Sequence, residues 1–550
     1  SAEIHLATGA ALLEMGEIEQ AYQVLSQAAD LDPRSAEVQA AFGRAAMQAQ
    51  RYEAAHAAFV RAAELDATRA DYLRQAGEAL WAMKRSAAAV ALWQRGIAVD
   101  PRDNLTLSRL GTALLSLGQH SEALAALEQA AEQNPKDAVT SREAARAALH
   151  LGELGKALNY LDRVIHVTPG DAEARYLLGR THEQQGQSDK ALAAYRQAAR
   201  LQPGEGLYLA ASGETLARLG DLPEAMRTME KALAASSDNP DVQRRAGEVY
   251  LQGAEPARAA GCFANLIAAC PNEAGAHLAH ARALVAAAEA CQAERHAGLA
   301  AGRAADDHAP LMKALQQAAS FGADPQLVRY WMGRAKTVAG ESAEGLRLLE
   351  AVAASPALPA ELRKSELYRA LGHARRKNGQ LERAREALQK ALQEDLSAAN
   401  LLEMGLTLQA AKDLRGAVAA FKRAAAAAPS WAVAHAHLAH CLLELGDQAE
   451  AAKGLAQAVA LRPEAAGWHY QLARLRISQN DSASAAAHFQ RAAELEPDNA
   501  LFNADLARSL ARDGDLARAA ELFTRATESN PNDAGLWTER GEVHLALGDV

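Results

Sequence analysis

Cysteine is scarce in this chain. Its four thiols, Cys262, Cys270, Cys291 and Cys441, show no CxxC spacing. That argues against a disulfide framework and for a reducing compartment, the cytoplasm first and a periplasmic setting as the alternative. No apolar run approaches the roughly 18 residues needed to cross a bilayer. An excess of basic residues is also missing: 58 Lys and Arg stand against 68 Asp and Glu, a formal charge of −10, which disfavours a general nucleic-acid or anionic-membrane surface. Nor is there a P-loop, a strand-borne GxGxxG, an HExxH or a GxSxG. An all-helical chain has none of the strand-to-helix turns those motifs need, so neither catalysis nor a cofactor is expected within this stretch.

What the chain does contain is an echo of 34 residues. Alanine recurs at 21, 55, 89, 123, 157, 191, 225 and 259, and glycine at 9, 43, 77, 111, 179, 213 and 247, with Ala145 the one substitution. A loop register carries Pro33, Pro101, Pro135, Pro169, Pro203 and Pro271. Self-similarity at such a period marks a solenoid in which each unit buries its face only against its neighbours. In residues 104–137, Leu107, Leu110, Leu114, Leu124 and Leu127 recur at helical spacing. Gly118 follows the first apolar stretch where a left-handed C-cap is easiest, Ser121 and Glu122 lead into a second helix, and Asn134-Pro135 stops it. Each unit is therefore an antiparallel helical hairpin, with Gly111 and Ala123 small because the two helices approach closely.

A 34-residue unit with small residues at its positions 8 and 20, a large apolar residue at 24, Ala at 27 and Pro at 32 resembles the tetratricopeptide repeat. Position 24 carries, among others, Leu25, Phe59, Trp93, Leu127 and Tyr195. The resemblance implies an all-α, right-handed superhelical solenoid. Three stretches are expected. Residues 1–273 hold eight units starting at 2, 36, 70, 104, 138, 172, 206 and 240. Residues 274–364 are divergent helical repeats, where Gly298, Gly302 and Pro310 fit no frame, Gly345 stands where alanine is expected, and Ser355–Glu361 makes a loop. Loss of the frame predicts a kink or hinge there. Residues 365–550 hold five units and the first helix of another. With no polar capping element after it and a helical serine at position 1, the chain reads as part of a longer polypeptide.

In the family the inner groove is lined by first-helix positions 2, 5, 6, 9, 12 and 13. Position 6 lacks the asparagine ladder of glycosyltransferase-linked arrays, and position 9 lacks the Lys/Asn clamp for chaperone carboxylates. What remains is a cluster of Arg109, Arg142, Arg146, Tyr176 and Arg180. Arg74 with Glu78 and Arg244 with Glu248 are i,i+4 pairs that neutralise themselves, whereas the cluster has no such partner on its own face, although Glu143 and Glu173 lie near enough to quench part of its field. Arginines beside a tyrosine suit an acidic or phosphorylated peptide. A second patch of Tyr330, Trp331, Arg334, Arg369, His373 and Arg376 adds aromatic surface, with Trp331 alternatively a core residue. His437 and His440, three apart with His435 toward the core, and His277 with His280 have zinc-like spacing, but no third ligand is identifiable, and packed or exposed histidines are the preferred reading. The leading function is a protein-interaction scaffold of bacterial style that holds a partner segment in its groove. The alternatives are the sensing or regulatory arm of a longer protease or transferase, and the periplasmic scaffold of an exopolysaccharide-export protein.

Overall fold

The computed structural model describes residues 1–296 and 308–548. Gly298 and Gly302 lie outside the described residues. Among the described residues there are 31 α-helices and no strand. They form two compact units, Ser1–Val249 and Tyr250–Val550.

In the first unit a first helix of 13 residues alternates with a second of 14, from Ala2–Glu14 and Ile18–Leu31 to Gly206–Arg218 and Leu222–Ala235. The first helices begin at 2, 36, 70, 104, 138, 172 and 206, where the period places them. Aspartates close the loops as N-caps: Asp103 accepts from the Thr106 amide at 3.1 Å and Asp171 from the Ala174 amide at 2.9 Å, each satisfying a helix donor that has no partner within its helix. Gly118 ends its helix at φ +75°.

The alanine register is the contact line of each hairpin, since Ala21, Ala55, Ala89, Ala123, Ala157 and Ala191 are all fully buried. Position 8 and position 24 form a second coupled pair. A Cβ on Gly77 would lie 2.4 Å from Trp93 Nε1, and one on Gly179 would lie 2.5 Å from the Tyr195 ring. The large residue at 24 therefore occupies the space that the missing side chain at 8 leaves open.

The second unit keeps this design where the period holds. Ala384, Ala417, Ala451, Ala485 and Ala519 are fully buried. Its irregular part contains one long helix, Ala274–His296, that packs on Pro256–Ala269, on Ala309–Ser320 and on Pro325–Val338. Gly345 replaces the expected alanine because even a methyl group there would meet Thr337 Oγ1 at 2.4 Å and the Gly333 carbonyl at 2.6 Å. Val285, Leu315, Trp331, Leu349 and Leu371 belong to one apolar cluster, so the described part of 274–364 shares a core with the regular repeat that follows it.

Position 4 supplies a loop clasp in this unit. The Nε2–H groups of His277, His435 and His469 donate to the carbonyls of Pro271, Pro429 and Pro463 at 2.8, 3.0 and 3.1 Å. Asn503 and Trp537 do the same to Pro497 and Pro531. With its Nε2 proton committed, His469 presents a lone pair at Nδ1, which accepts from His488 Nδ1 at 3.0 Å. Burial lowers the pKa of both rings; at His469 the Pro463 carbonyl opposes this and the Arg491 cation adds to it, while at His488 His469 and Arg476 add to it and Asp481 opposes. The unfolded rings titrate near pH 6.5, so below about that value the unfolded chain binds more protons and stability falls with pH. We expect the unfolding midpoint to drop between about pH 7 and 5, and His488→Gln to flatten that slope; an unaltered slope would remove the pair as its origin.

Candidate partner-binding surface

The first helices of successive repeats touch one another, as Asn104–Ser116 touches Ala138–His150, so their exposed positions form one face. Charges on this face pair across repeats. Arg109 Nε lies 4.0 Å from Glu78 Oε1, and Arg245 pairs with Glu214. In the second unit His373 Nδ1 lies 3.0 Å from Glu403 Oε1, and Arg508 makes a two-pronged contact with Glu539 at 2.8 and 2.9 Å. Each joins position 9 of one repeat to position 6 of the next.

Two further arginines of the expected cluster are paired as well, though through other positions. Arg142 Nη1 is 2.6 Å from Asp171 and its Nε 3.1 Å from Glu173. Arg146 is 2.9 Å from Glu143 and also pairs with Glu173. Burial opposes the Arg142 charge, but Asp171 and Glu173 raise its pKa; burial raises that of Glu143, against the pull of Arg146. The expectation that these arginines lack carboxylate partners is therefore corrected: the partners are on this face, supplied mainly by the following repeat. Tyr176 is half-buried, its ring 5.6 Å from that of Tyr195 and 5.2 Å from that of Tyr208. Arg180 alone of the four arginines makes no ion pair with a described carboxylate. The expected Arg74–Glu78 pair forms at 3.0 Å.

The second patch is not an aromatic surface. Tyr330 and Trp331 are buried against each other, edge to face at 5.0 Å. Arg334 lies over Trp331 and grips Glu289 with two nitrogens, at 3.1 and 2.5 Å. Burial disfavours its charge, but Glu289 raises its pKa. Arg376 donates to Glu403 Oε2 at 3.1 Å and also lies 3.2 Å from His373 Nδ1. That ring nitrogen cannot donate to the carboxylate and accept from the guanidinium at once; donation to Glu403 is favoured, because Arg376 already has its own carboxylate oxygen. Arg369 is half-buried and makes no ion pair with a described carboxylate. Apart from Arg369, these side chains hold repeats together.

The histidine spacing serves three packing roles: His435 clasps its loop, His437 stacks on Phe421 at 5.5 Å, and His440 meets Glu444 at 3.1 Å. Among the described residues no three His, Cys, Asp or Glu side chains converge as a metal site would require, and no helix is long and apolar enough to cross a membrane.

One feature of the face is absent from the sequence reading. A cleft of about 280 Å³ opens between the third and fourth repeats, lined by Glu78, Trp81, Trp93, Arg109 and Thr112. Trp81 is 37% exposed and leans on buried Trp93, ring centroids 5.9 Å apart. The Arg109 side chain is 59% exposed. Trp81 occupies position 12, a groove position, and its residue type was the available signal.

A row of helical hairpins that presents a continuous side-chain face is a protein-interaction scaffold. The tetratricopeptide repeat pattern matches residues 12–77, 74–138, 142–206, 210–274 and 365–397 and, in overlapping pieces, 438–500, 470–534 and 504–550. These matches cover more than half of the chain, which belongs to the tetratricopeptide repeat family. No curated protein matches it. Similar solved structures include the repeat protein YrrB, described as having an unusual peptide-binding site, at 25% identity over 32% of this chain and 92% of that one, with a TM-score of 0.31. The Cut9–Hcn1 hetero-tetramer of the APC/C matches at 12% identity over 87% of this chain and 97% of that one, with a TM-score of 0.42. PilF of Pseudomonas aeruginosa matches at 23% identity over 37% and 92%, with a TM-score of 0.32.

Proposed function

We propose that the scaffold holds an extended segment of a partner protein along the first-helix face of its first unit, anchored by one apolar side chain in the Trp81 cleft. The cleft carries this reading. It joins an exposed tryptophan to an exposed arginine over a buried floor, and tryptophan and arginine dominate the energetics of protein interfaces. Elsewhere the charges of this face largely satisfy one another, which makes the cleft a place where a partner adds contacts at little cost to existing ones. Arg109, held to Glu78 only at 4.0 Å, is free to swing onto a polar group flanking the anchor residue.

An array of short peptides probed with the whole chain tests this. Trp81→Ala, which removes a wall, and Thr112→Arg, which fills the cleft from an exposed position, should each weaken the bound peptides by about tenfold or more. Amides of 70–116 should gain hydrogen-exchange protection on binding. Peptides that bind both variants as well as the wild type, without that protection, would refute the anchor.

A further inference from the structure

The pairing of position 9 with position 6 of the next repeat is interrupted at several places, exposed Arg44 across from Gln75 and Arg146 across from Leu177 among them, and one interruption leaves a half-buried arginine without an acid. Glu78 meets Arg109, Glu214 meets Arg245, His373 meets Glu403 and Arg508 meets Glu539. In the sixth repeat position 9 is Arg180, and the residue across from it at position 6 is Ala211, which carries no charge. Ala211 packs against Tyr195 and Tyr176, and Tyr176 lies one helical turn before Arg180. Ala211 is itself buried, so the position across from Arg180 is apolar.

Neighbouring carboxylates are committed elsewhere. Glu183 receives the Tyr195 hydroxyl at 2.5 Å and pairs with Arg218. Glu214 is shared by Arg245 and, at 3.6 Å, Arg218. Glu173 is held by Arg142 and Arg146. Positive potential also spreads backward from this point: beyond the effect of burial, the charges of His120, Arg180 and Arg146 disfavour protonation of His150. A half-buried guanidinium that meets no described carboxylate suits an anionic group brought from outside.

We propose that Arg180 is an anion-binding position, completed by a carboxylate side chain of a partner peptide, because Ala211 across from it supplies none. This rests on the reading that a partner segment lies along the first-helix face, and it specifies that the segment is acidic at the sixth and seventh repeats.

The test uses the full chain and short fluorescein-labelled peptides, one alternating glutamate with serine, one with glutamine for glutamate, and one with phosphoserine for glutamate. The glutamate peptide should bind and the glutamine peptide should not. Arg180→Gln should raise its Kd by about tenfold or more. Ala211→Glu, which supplies the missing acid from within, should do the same while leaving Arg180 in place. Circular dichroism and the unfolding midpoint establish that Ala211→Glu folds; if it does not, Arg180→Gln decides. Arg200→Gln makes the same charge change on an exposed second-helix position and should alter the Kd by no more than about twofold. Unchanged affinity in Arg180→Gln, an equal loss in Arg200→Gln, or binding of the phosphoserine peptide alone would each overturn the assignment. If no acidic peptide binds while array peptides still depend on Trp81, the Arg180 assignment fails and the groove reading stands. Dependence on Arg180 without dependence on Trp81 would sink the Trp81 anchor and leave the Arg180 assignment standing.

Discussion

Glu403→Ala should destabilise the second unit by about 3–5 kcal/mol at neutral pH, because it strands the Arg376 cation and leaves the His373 N–H without an acceptor where one largely buried carboxylate now serves both. Burial alone would raise the Glu403 pKa, yet His373 at 3.0 Å and Arg376 at 3.1 Å hold it well below the ordinary carboxylate range. Its folded pKa is thus below its unfolded value near 4.3, so the stabilisation is present above that value and is lost as pH falls through the folded one. The penalty in Glu403→Ala should accordingly shrink in acid. Replacing the trio together, with His373→Leu, Arg376→Met and Glu403→Leu, should come within about 2 kcal/mol of the wild type, since no unpaired charge remains. Urea unfolding at several pH values checks both statements. A loss under about 1 kcal/mol in the single variant would mean that water reaches the stranded groups.

Trp93→Ala should cost the first unit about 3–5 kcal/mol, the usual penalty for emptying a large aromatic site. Trp93 is 1% exposed, and its Nε1–H donates to the Arg74 carbonyl at 3.0 Å. From the other side of the same contact, Gly77→Ala should cost about 1–3 kcal/mol by overpacking, since its Cβ would fall 2.4 Å from Trp93 Nε1. The double variant Gly77→Ala with Trp93→Leu should lose less than the sum of its singles, because residues in contact couple. The fifth repeat already uses that combination, Ala145 over Leu161. Strict additivity in denaturant unfolding would show that positions 8 and 24 are not the coupled pair described here.

The fold was legible because its determinants lie within one repeat. The small residue at 8, the alanine at 20, the large side chain at 24 and the loop proline act over fewer than 34 positions, and repetition averages away local exceptions such as Ala145. Where repetition stops, legibility stops too. Nothing in the pattern predicts a helix that runs from Ala274 to His296 without the hairpin break of a regular unit, because the 34-residue frame is lost there. Sequence leaves Trp331 between surface and core for the same reason, and its place in the apolar cluster is a tertiary fact.

The candidate surface shows the same division more sharply. Sequence alone identifies Arg109, Arg142, Arg146 and Arg180 as neighbours on one face, since register assigns a residue to a face. It does not say which charges remain available. Arg142 and Arg146 meet acids 27 to 31 residues away on the next repeat, and whether two such side chains touch depends on the rotation between adjacent hairpins, which interface packing decides. The Trp81 cleft likewise exists only because two neighbouring repeats leave space between them. Periodicity specifies the repeat, its helices and the residues on each face; the pairing of charges between repeats is set by how neighbouring hairpins pack, because Coulomb attraction and desolvation depend on ångström distances that periodicity does not encode.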